Sequence, residues 1–204
     1  MEKRPLFTTL AMLLTTAMLL TTGCTGTSKP STFYLLDPLP ASTEASSQTG
    51  TANMISLVIG PVSIPSYLDR PNIVARTDKN ELAVAEFNRW AEPIKDNFFR
   101  ILIENLSILL DTVNISVYPQ RFSEAYDYQI VIDVTRFDTN AAGDAELTAF
   151  WLVAAQDGRN ILLRKRSVLR AAAAGSDQSA RVSAQNRLLN DFSRDIADEI
   201  KKLR

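Results

Sequence analysis

The chain has 204 residues, of which 46% are apolar, so it is long enough for one domain with an ordinary core. Its formal net charge of −1 lacks the basic excess of nucleic-acid binders, so no nucleic-acid partner is expected. Because the chain contains no histidine and a single cysteine, its composition excludes histidine-based triads, histidine metal ligands, thiolate metal clusters and intrachain disulfides.

The N-terminal residues are typical of a secretory leader. Lys3 and Arg4 form a positive region, and the apolar segment 6–20 is shorter than the roughly 20 residues of a membrane span. We therefore predict a signal peptide over residues 1–23. The residues before Cys24 resemble a bacterial lipobox, although Leu20 stands one position early. Cys24 is either a lipidation site or an incidental cysteine after an ordinary leader; we favour lipidation, because the chain's one cysteine ends the leader.

A lipidated Cys24 makes residues 24–32 a short tether. Nine residue steps lead from Cys24 to Phe33 and span at most about 30 Å, so the domain is expected close to its membrane. Several acyl chains would anchor it stably, since one chain binds only marginally. Thr25 follows the cysteine, and by resemblance to the lipoprotein sorting rule the absence of aspartate there implies the outer membrane of a double-membrane bacterium.

Residues 33–93 predict short strands separated by turns. The apolar runs 33–36, 55–59, 62–64, 73–76 and 82–87 are the expected strands, with a break at Gly60-Pro61. Residues 41–53 are rich in Ser, Thr and Ala without an apolar period and predict a mobile loop.

The segment from Pro65 to Pro71 predicts a rigid loop, because each proline fixes its own φ and biases the preceding residue toward extended geometry. Such a loop is either a structural corner or a docking surface. We expect Leu68 and Trp90 to hold the corner. The candidates for partner contact are Tyr67, Asp69, Arg70 and Arg89.

Residues 93–110 predict a helix that begins at Pro93. Its apolar positions cover about 220°, whereas a surface helix needs little more than 100°. Asn97 falls in the narrow polar remainder. Either the helix is covered on two sides within the domain, which we favour, or part of it meets another subunit or partner.

The second half predicts strands at 114–118, 126–137, 145–156 and 161–170, the last three forming an antiparallel meander with a hairpin at Asp157-Gly158. A helix over 178–203 follows, capped by Ser176 or Asp177, with Asp195 and Glu199 expected to face water. The predicted fold class is α+β: two layers, with a mainly antiparallel or mixed sheet and two main helices in one domain, 33–204. We interpret the following cations as a solvated face or edge protection rather than an anion site: Arg164, Lys165, Arg166 and Arg170.

The chain resembles the ABC-type transport auxiliary lipoproteins, the family of PqiC- and YmbA-like proteins. The matching segments are FYLL at 33–36, IGPVSIP at 59–65, YLDRP at 67–71 and NRWAEP at 88–93. The resemblance implies a non-enzymatic, periplasm-facing outer-membrane lipoprotein that docks a mammalian-cell-entry-type conduit for lipids or other hydrophobic molecules and supports envelope integrity. It also leaves room for a homo-oligomer. The glycines form no phosphate loop, so no nucleotide cofactor is expected.

Two other functions stay open. An envelope hydrolase would use carboxylates such as Asp69 and Glu92, which we expect to pair with Arg70 and Arg89, and no nucleophile motif is found. A direct lipid carrier would need an internal cavity. No catalytic, cofactor-binding or metal-binding residue is predicted.

Overall fold

The computed structural model describes residues 29–40, 55–120, 125–156 and 160–204. The predicted leader, Cys24, the predicted mobile loop and the Asp157-Gly158 hairpin lie outside these ranges. Residues 31–204 cluster as one compact unit. The strands and helices are β1 Thr32–Tyr34, β2 Leu57–Ser63, β3 Asn72–Asp78, β4 Glu81–Trp90, α1 Ile94–Leu110, β5 Ile115–Val117, β6 Tyr128–Thr139, β7 Ala145–Ala155, β8 Ile161–Ala171 and α2 Gln178–Leu203.

The described strands form one mixed sheet of eight strands, and the predicted α+β fold is confirmed. β6 is its centre: one edge pairs with β7 antiparallel, and the other edge pairs with β2 in parallel and, at its last residue, with β3. The path β1-β4-β3-β6-β2-β5 therefore places β1 and β5 at opposite ends. β7 continues to β8, which confirms the predicted antiparallel meander of β6, β7 and β8.

The predicted break at Gly60-Pro61 is wrong, because β2 continues through both residues. Its register against β6 shifts between Ile59 and Val62, so the strand absorbs the irregularity as a bulge. Gly60 has a φ of 117°, and a Cβ there would lie 3.3 Å from the Cβ of Tyr118. Only glycine meets both conditions easily.

The core lies between the helices and one face of the sheet. Phe98 of α1 packs edge-on against Phe137 of β6, with ring centroids 5.3 Å apart, and Phe192 of α2 lies 6.4 Å from Phe98. Trp151 of β7 meets Phe192 at 6.3 Å. These four rings pack together at the centre of a larger apolar core between the two layers.

Most of the broad apolar stripe of α1 is covered within the domain, as we favoured. One arc is fully buried, and flanking residues such as Phe99 and Ile103 pack against it in part, while Ile108 stays exposed. The polar assignment of Asn97 is wrong, because Asn97 and Asn105 lie inside the buried arc.

Two expectations for the C-terminal half require correction. Lys165 is not part of a solvated face: its Nζ bonds to Asp195 at 2.6 Å and Glu199 at 2.9 Å, so these two carboxylates of α2 meet the sheet instead of open water. Strand alternation turns Lys165 toward the helix and its neighbours Arg164 and Arg166 outward. The hydrogen bond that Lys165 donates to Asp195 is the main cause that raises the pKa of Lys165, and the one that it donates to Glu199 is the main cause that lowers the pKa of Glu199.

Candidate docking surface

The loop between Pro65 and Pro71 is built as a corner. Ser66–Leu68 form a single 3₁₀ turn, and the backbone N–H of Trp90 donates to the carbonyl of Pro71 at 2.7 Å. Leu68 and Trp90 are buried, as expected of residues that hold the corner. The loop is therefore fixed at both ends, with its shape set before any partner arrives.

Tyr67 fixes the middle of this loop to the sheet. Its hydroxyl donates to Oδ2 of Asp138 at 2.9 Å, and Asp138 is fully buried on β6. Arg136 Nε reaches the other oxygen of Asp138 at 2.8 Å, and Arg76 Nη2 lies 3.3 Å from Oδ2. Two guanidinium groups thus compensate the buried carboxylate.

The same cluster changes the acidity of the phenol. The pKa of Tyr67 is raised to about 12: burial is the largest cause, the charge and hydrogen bond of Asp138 come next, and Arg76 partly offsets them. The phenol therefore stays neutral and acts as a donor at all ordinary pH values. Tyr67 joins the loop to the sheet, because its hydroxyl is hydrogen-bonded to Asp138.

The other three candidates lie near one another but differ in exposure. Asp69 and Arg70 are exposed at the end of the loop, and Arg89 is half-buried on β4, in register with Asn72 of β3. None of the three forms an ion pair with a described residue. The expected pairing of Glu92 with Arg89 is wrong: Glu92 Oε1 accepts from Arg100 Nη2 and from Asn97 Nδ2, each at 2.7 Å.

The segment that follows β1 is held by residues that the sequence analysis missed. The backbone N–H of Leu36 donates to Asn97 Oδ1 at 2.7 Å, and that of Leu39 donates to Asn105 Oδ1 at 2.7 Å. Between them the backbone N–H of Asp37 donates to Asn186 Oδ1 of α2 at 2.8 Å, and Pro38 has no backbone N–H that needs an acceptor. The signal that could have revealed this was two asparagines, eight residues apart, within an otherwise apolar helical face.

A groove of about 200 Å³ lies beside the first turn of α1, between β2 and the end of β5. Phe99, Val117 and Tyr118 supply apolar side chains, and Lys95 and Asp96 supply charge. The tight approach of Gly60 to Tyr118 shapes its floor. Val62 in its lining lies three residues before Pro65, so the groove adjoins the strand that leads into the Pro65–Pro71 loop.

Within the described ranges, no helix has the length and apolar character to cross a membrane. In the same ranges, acidic and thiol side chains form no group that could hold a metal ion.

The fold defines a class of protein: a domain of one helix layer on one mixed sheet, with a loop whose backbone is fixed by the domain itself. The chain belongs to the ABC-type transport auxiliary lipoprotein family, whose model, described as an ABC-type transport auxiliary lipoprotein component, matches residues 34–197. The resemblance noted from the sequence is thereby confirmed. The family is a transport auxiliary family and not an enzyme family.

Curated relatives agree with this assignment, and solved structures share the fold. The chain is 26% identical over 134 residues to the intermembrane transport lipoprotein PqiC of Escherichia coli K12, covering 59% of this chain and 69% of the relative. The PqiC of Shigella flexneri matches with the same figures. In fold, the chain is similar to a crystal structure of an uncharacterized protein, with a TM-score of 0.67, 21% identity, and coverage of 84% of this chain and 99% of the other. A crystal structure of a protein from Xanthomonas campestris gives a TM-score of 0.63, 19% identity, and coverage of 82% and 93%.

Proposed function

We propose that this protein is a lipid-anchored subunit of an intermembrane transport system for lipids or other hydrophobic molecules. It is held through Cys24 at the periplasmic face of the outer membrane and there docks a mammalian-cell-entry-type transport protein, which supports envelope integrity. The observation that carries the proposal is the family match over residues 34–197, from the last residue of β1 into α2. The PqiC relatives are described as intermembrane transport lipoproteins, which favours this system.

Docking fits the domain better than direct carriage of lipid. The rings of Phe98, Phe137, Phe192 and Trp151 pack against one another between sheet and helices, and space that side chains fill is not open to an acyl chain. A hydrolase is also disfavoured, because Glu92 is held by Asn97 and Arg100. Asp69 is exposed at the loop end without a described charge partner, as a contact residue would be.

The docking contact is proposed for the end of the Pro65–Pro71 loop, through Asp69 and Arg70. Their side chains are exposed, while Tyr67, Leu68 and Trp90 hold the backbone beneath them. A preformed loop loses little conformational entropy on binding, and exposed charges select a partner by complementarity. A second copy of the chain remains a further candidate for contact with this domain.

The anchor and the dock are tested separately. Cys24→Ser should move the protein from the membrane fraction to the soluble fraction, and retention in membranes would refute the lipid anchor. In the anchored chain, Arg70→Glu should abolish co-purification with a mammalian-cell-entry-type protein, because it reverses the charge at the contact. Lys79→Glu, an equal change of charge on the exposed β3–β4 turn, is the matched control and should leave co-purification unchanged. Equal recovery of both variants would place the dock elsewhere.

The alternative function, an envelope hydrolase, is tested by an activity assay of the purified protein. Purified wild type should show no turnover of glycan or ester substrates. Turnover that Asp69→Asn abolishes would establish the enzyme and remove the docking proposal.

A further inference from the structure

We propose that Phe33 and Leu35, together with Arg89 of the adjoining strand, rest on the anionic phospholipid surface of the membrane that holds the anchor. We call these three residues the lipid-contact patch. The inference rests on the proposed lipid anchor and adds to it the orientation of the domain on the bilayer.

Strand alternation separates this patch from the core. Tyr34 and Trp90 are in register on β1 and β4 and both pack against the core, Trp90 fully buried and Tyr34 in part. Phe33 and Arg89 are the neighbouring pair in the same register, so they take the opposite, helix-free face. Phe33 is 61% exposed and Leu35, two residues on, is 45% exposed. Contact with any surface that excludes water from an exposed phenylalanine and a neighbouring leucine is favourable, because it buries apolar area.

The charge next to these side chains is uncompensated. Arg89 forms no ion pair with a described residue, and its Nε is buried without a hydrogen-bond partner in the same ranges. Two carboxylates lie three residues from Arg89 along the chain: Glu92 is already held by Arg100 and Asn97, and Glu86 forms no ion pair with a described residue. Asp69 is exposed nearby on the loop but makes no ion pair. Apolar side chains beside a free guanidinium match the interface of an anionic phospholipid, where acyl chains lie under phosphate groups.

The length of the chain before β1 selects a membrane as the occupant. Phe33 is nine residues after Cys24, so its distance from the anchored cysteine is at most about 30 Å. Anchoring therefore keeps the membrane surface at a high effective concentration near the lipid-contact patch, whereas a soluble partner has no such advantage. Asn97, Asn186 and Asn105 bind the backbone directly after the patch, so the patch cannot turn away from the domain.

The chain's single cysteine permits a direct test. The lipidated Phe33→Cys protein is reconstituted in vesicles of phosphatidylethanolamine and phosphatidylglycerol and labelled with a fluorescent maleimide. Because acylation would block Cys24, the introduced thiol is the one that reacts. Tyr118→Cys is the matched control: Tyr118 is an aromatic residue, 49% exposed, directly after β5 and against Gly60 of β2, a strand that does not pair with β1. Brominated phospholipids should quench the label at position 33 and leave the label at position 118 bright.

A second variant tests the charge. Adding Arg89→Gln to Phe33→Cys should shift the contact equilibrium about fivefold toward release in vesicles that contain phosphatidylglycerol, and should change little in purely zwitterionic vesicles. Equal quenching at positions 33 and 118 would overturn the inference while the anchor stands. So would crosslinking of residue 33 to a protein partner without quenching by lipid. Labelling of the wild-type protein in membranes would instead show that Cys24 carries no lipid, which removes the anchor and this contact together.

Discussion

The backbone N–H of Leu36 and the side-chain Oδ1 of Asn97, 61 residues apart along the chain, form a buried hydrogen bond of 2.7 Å. It joins the segment after β1 to the buried face of α1. Since the proposed anchor lies upstream of this segment, any force on the tether would be transmitted to the helix layer through this bond and its counterparts at Asn105 and Asn186.

Asn97→Ala should lower the unfolding free energy by about 1–3 kcal/mol, because it leaves the buried N–H of Leu36 without an acceptor. Glu104→Ala, at a partly exposed position on the same helix, is the control and should change the unfolding free energy by about 0.5 kcal/mol or less. Chemical denaturation of both variants measures the difference. Equal, small effects would mean that water replaces the asparagine.

Trp90→Ala should destabilise the domain by about 3–5 kcal/mol, as expected when a large buried aromatic residue is removed. Trp90 is only 5% exposed, and its backbone N–H also closes the Pro65–Pro71 loop. Phe150→Ala removes an aromatic ring that is 49% exposed and should have a much smaller effect. Thermal melting of the two variants compares them directly. If Trp90→Ala kept the wild-type melting temperature but lost partner binding, Trp90 would be an interface residue.

Ser167→Ala should break a chain of hydrogen bonds between sheet and helix. Trp151 Nε1 donates to Ser167 Oγ at 2.9 Å, and Ser167 donates to Asp195 Oδ2 at 2.7 Å. Its loss leaves the buried indole N–H unsatisfied, at a cost of about 1–3 kcal/mol measured by denaturant unfolding. Ser107→Ala, which removes one part-buried bond to a loop carbonyl, provides a comparison. A loss no greater than that of Ser107→Ala would contradict the role of this chain.

Stability should also fall at high pH through Tyr67. Its phenol has a pKa of about 12 in the folded protein against an ordinary value of 10.0, so the folded chain binds this proton more tightly than the unfolded chain. The contribution to the unfolding free energy is therefore fully present below about pH 10 and is lost as the pH rises toward about 12. Tyr67→Phe should flatten the dependence of stability on pH in this window. An unchanged slope would show that Tyr67 titrates as it does in the unfolded chain.

The sequence by itself determined the local elements and the family. The alternation in β6 and β7, the helical period of α1 and the Asp177 cap of α2 depend on neighbours in the chain, and the structure confirms them: Asp177 accepts from the N–H of Ala180 at 2.7 Å. The consecutive segments around Gly60-Pro61, Tyr67 and Trp90 were likewise sufficient to recognise an auxiliary lipoprotein.

The tertiary structure alone decided which polar groups meet. Asn97 accepts from the backbone N–H of Leu36, and Lys165 binds Asp195 and Glu199. Glu92 forms its ion pair with Arg100 and not with Arg89. Each of these side chains could satisfy its hydrogen bonds equally well in water, so no local pattern selects the partner. The choice is made when the helix layer settles on the sheet and a buried group must find a partner that the packing brings within reach.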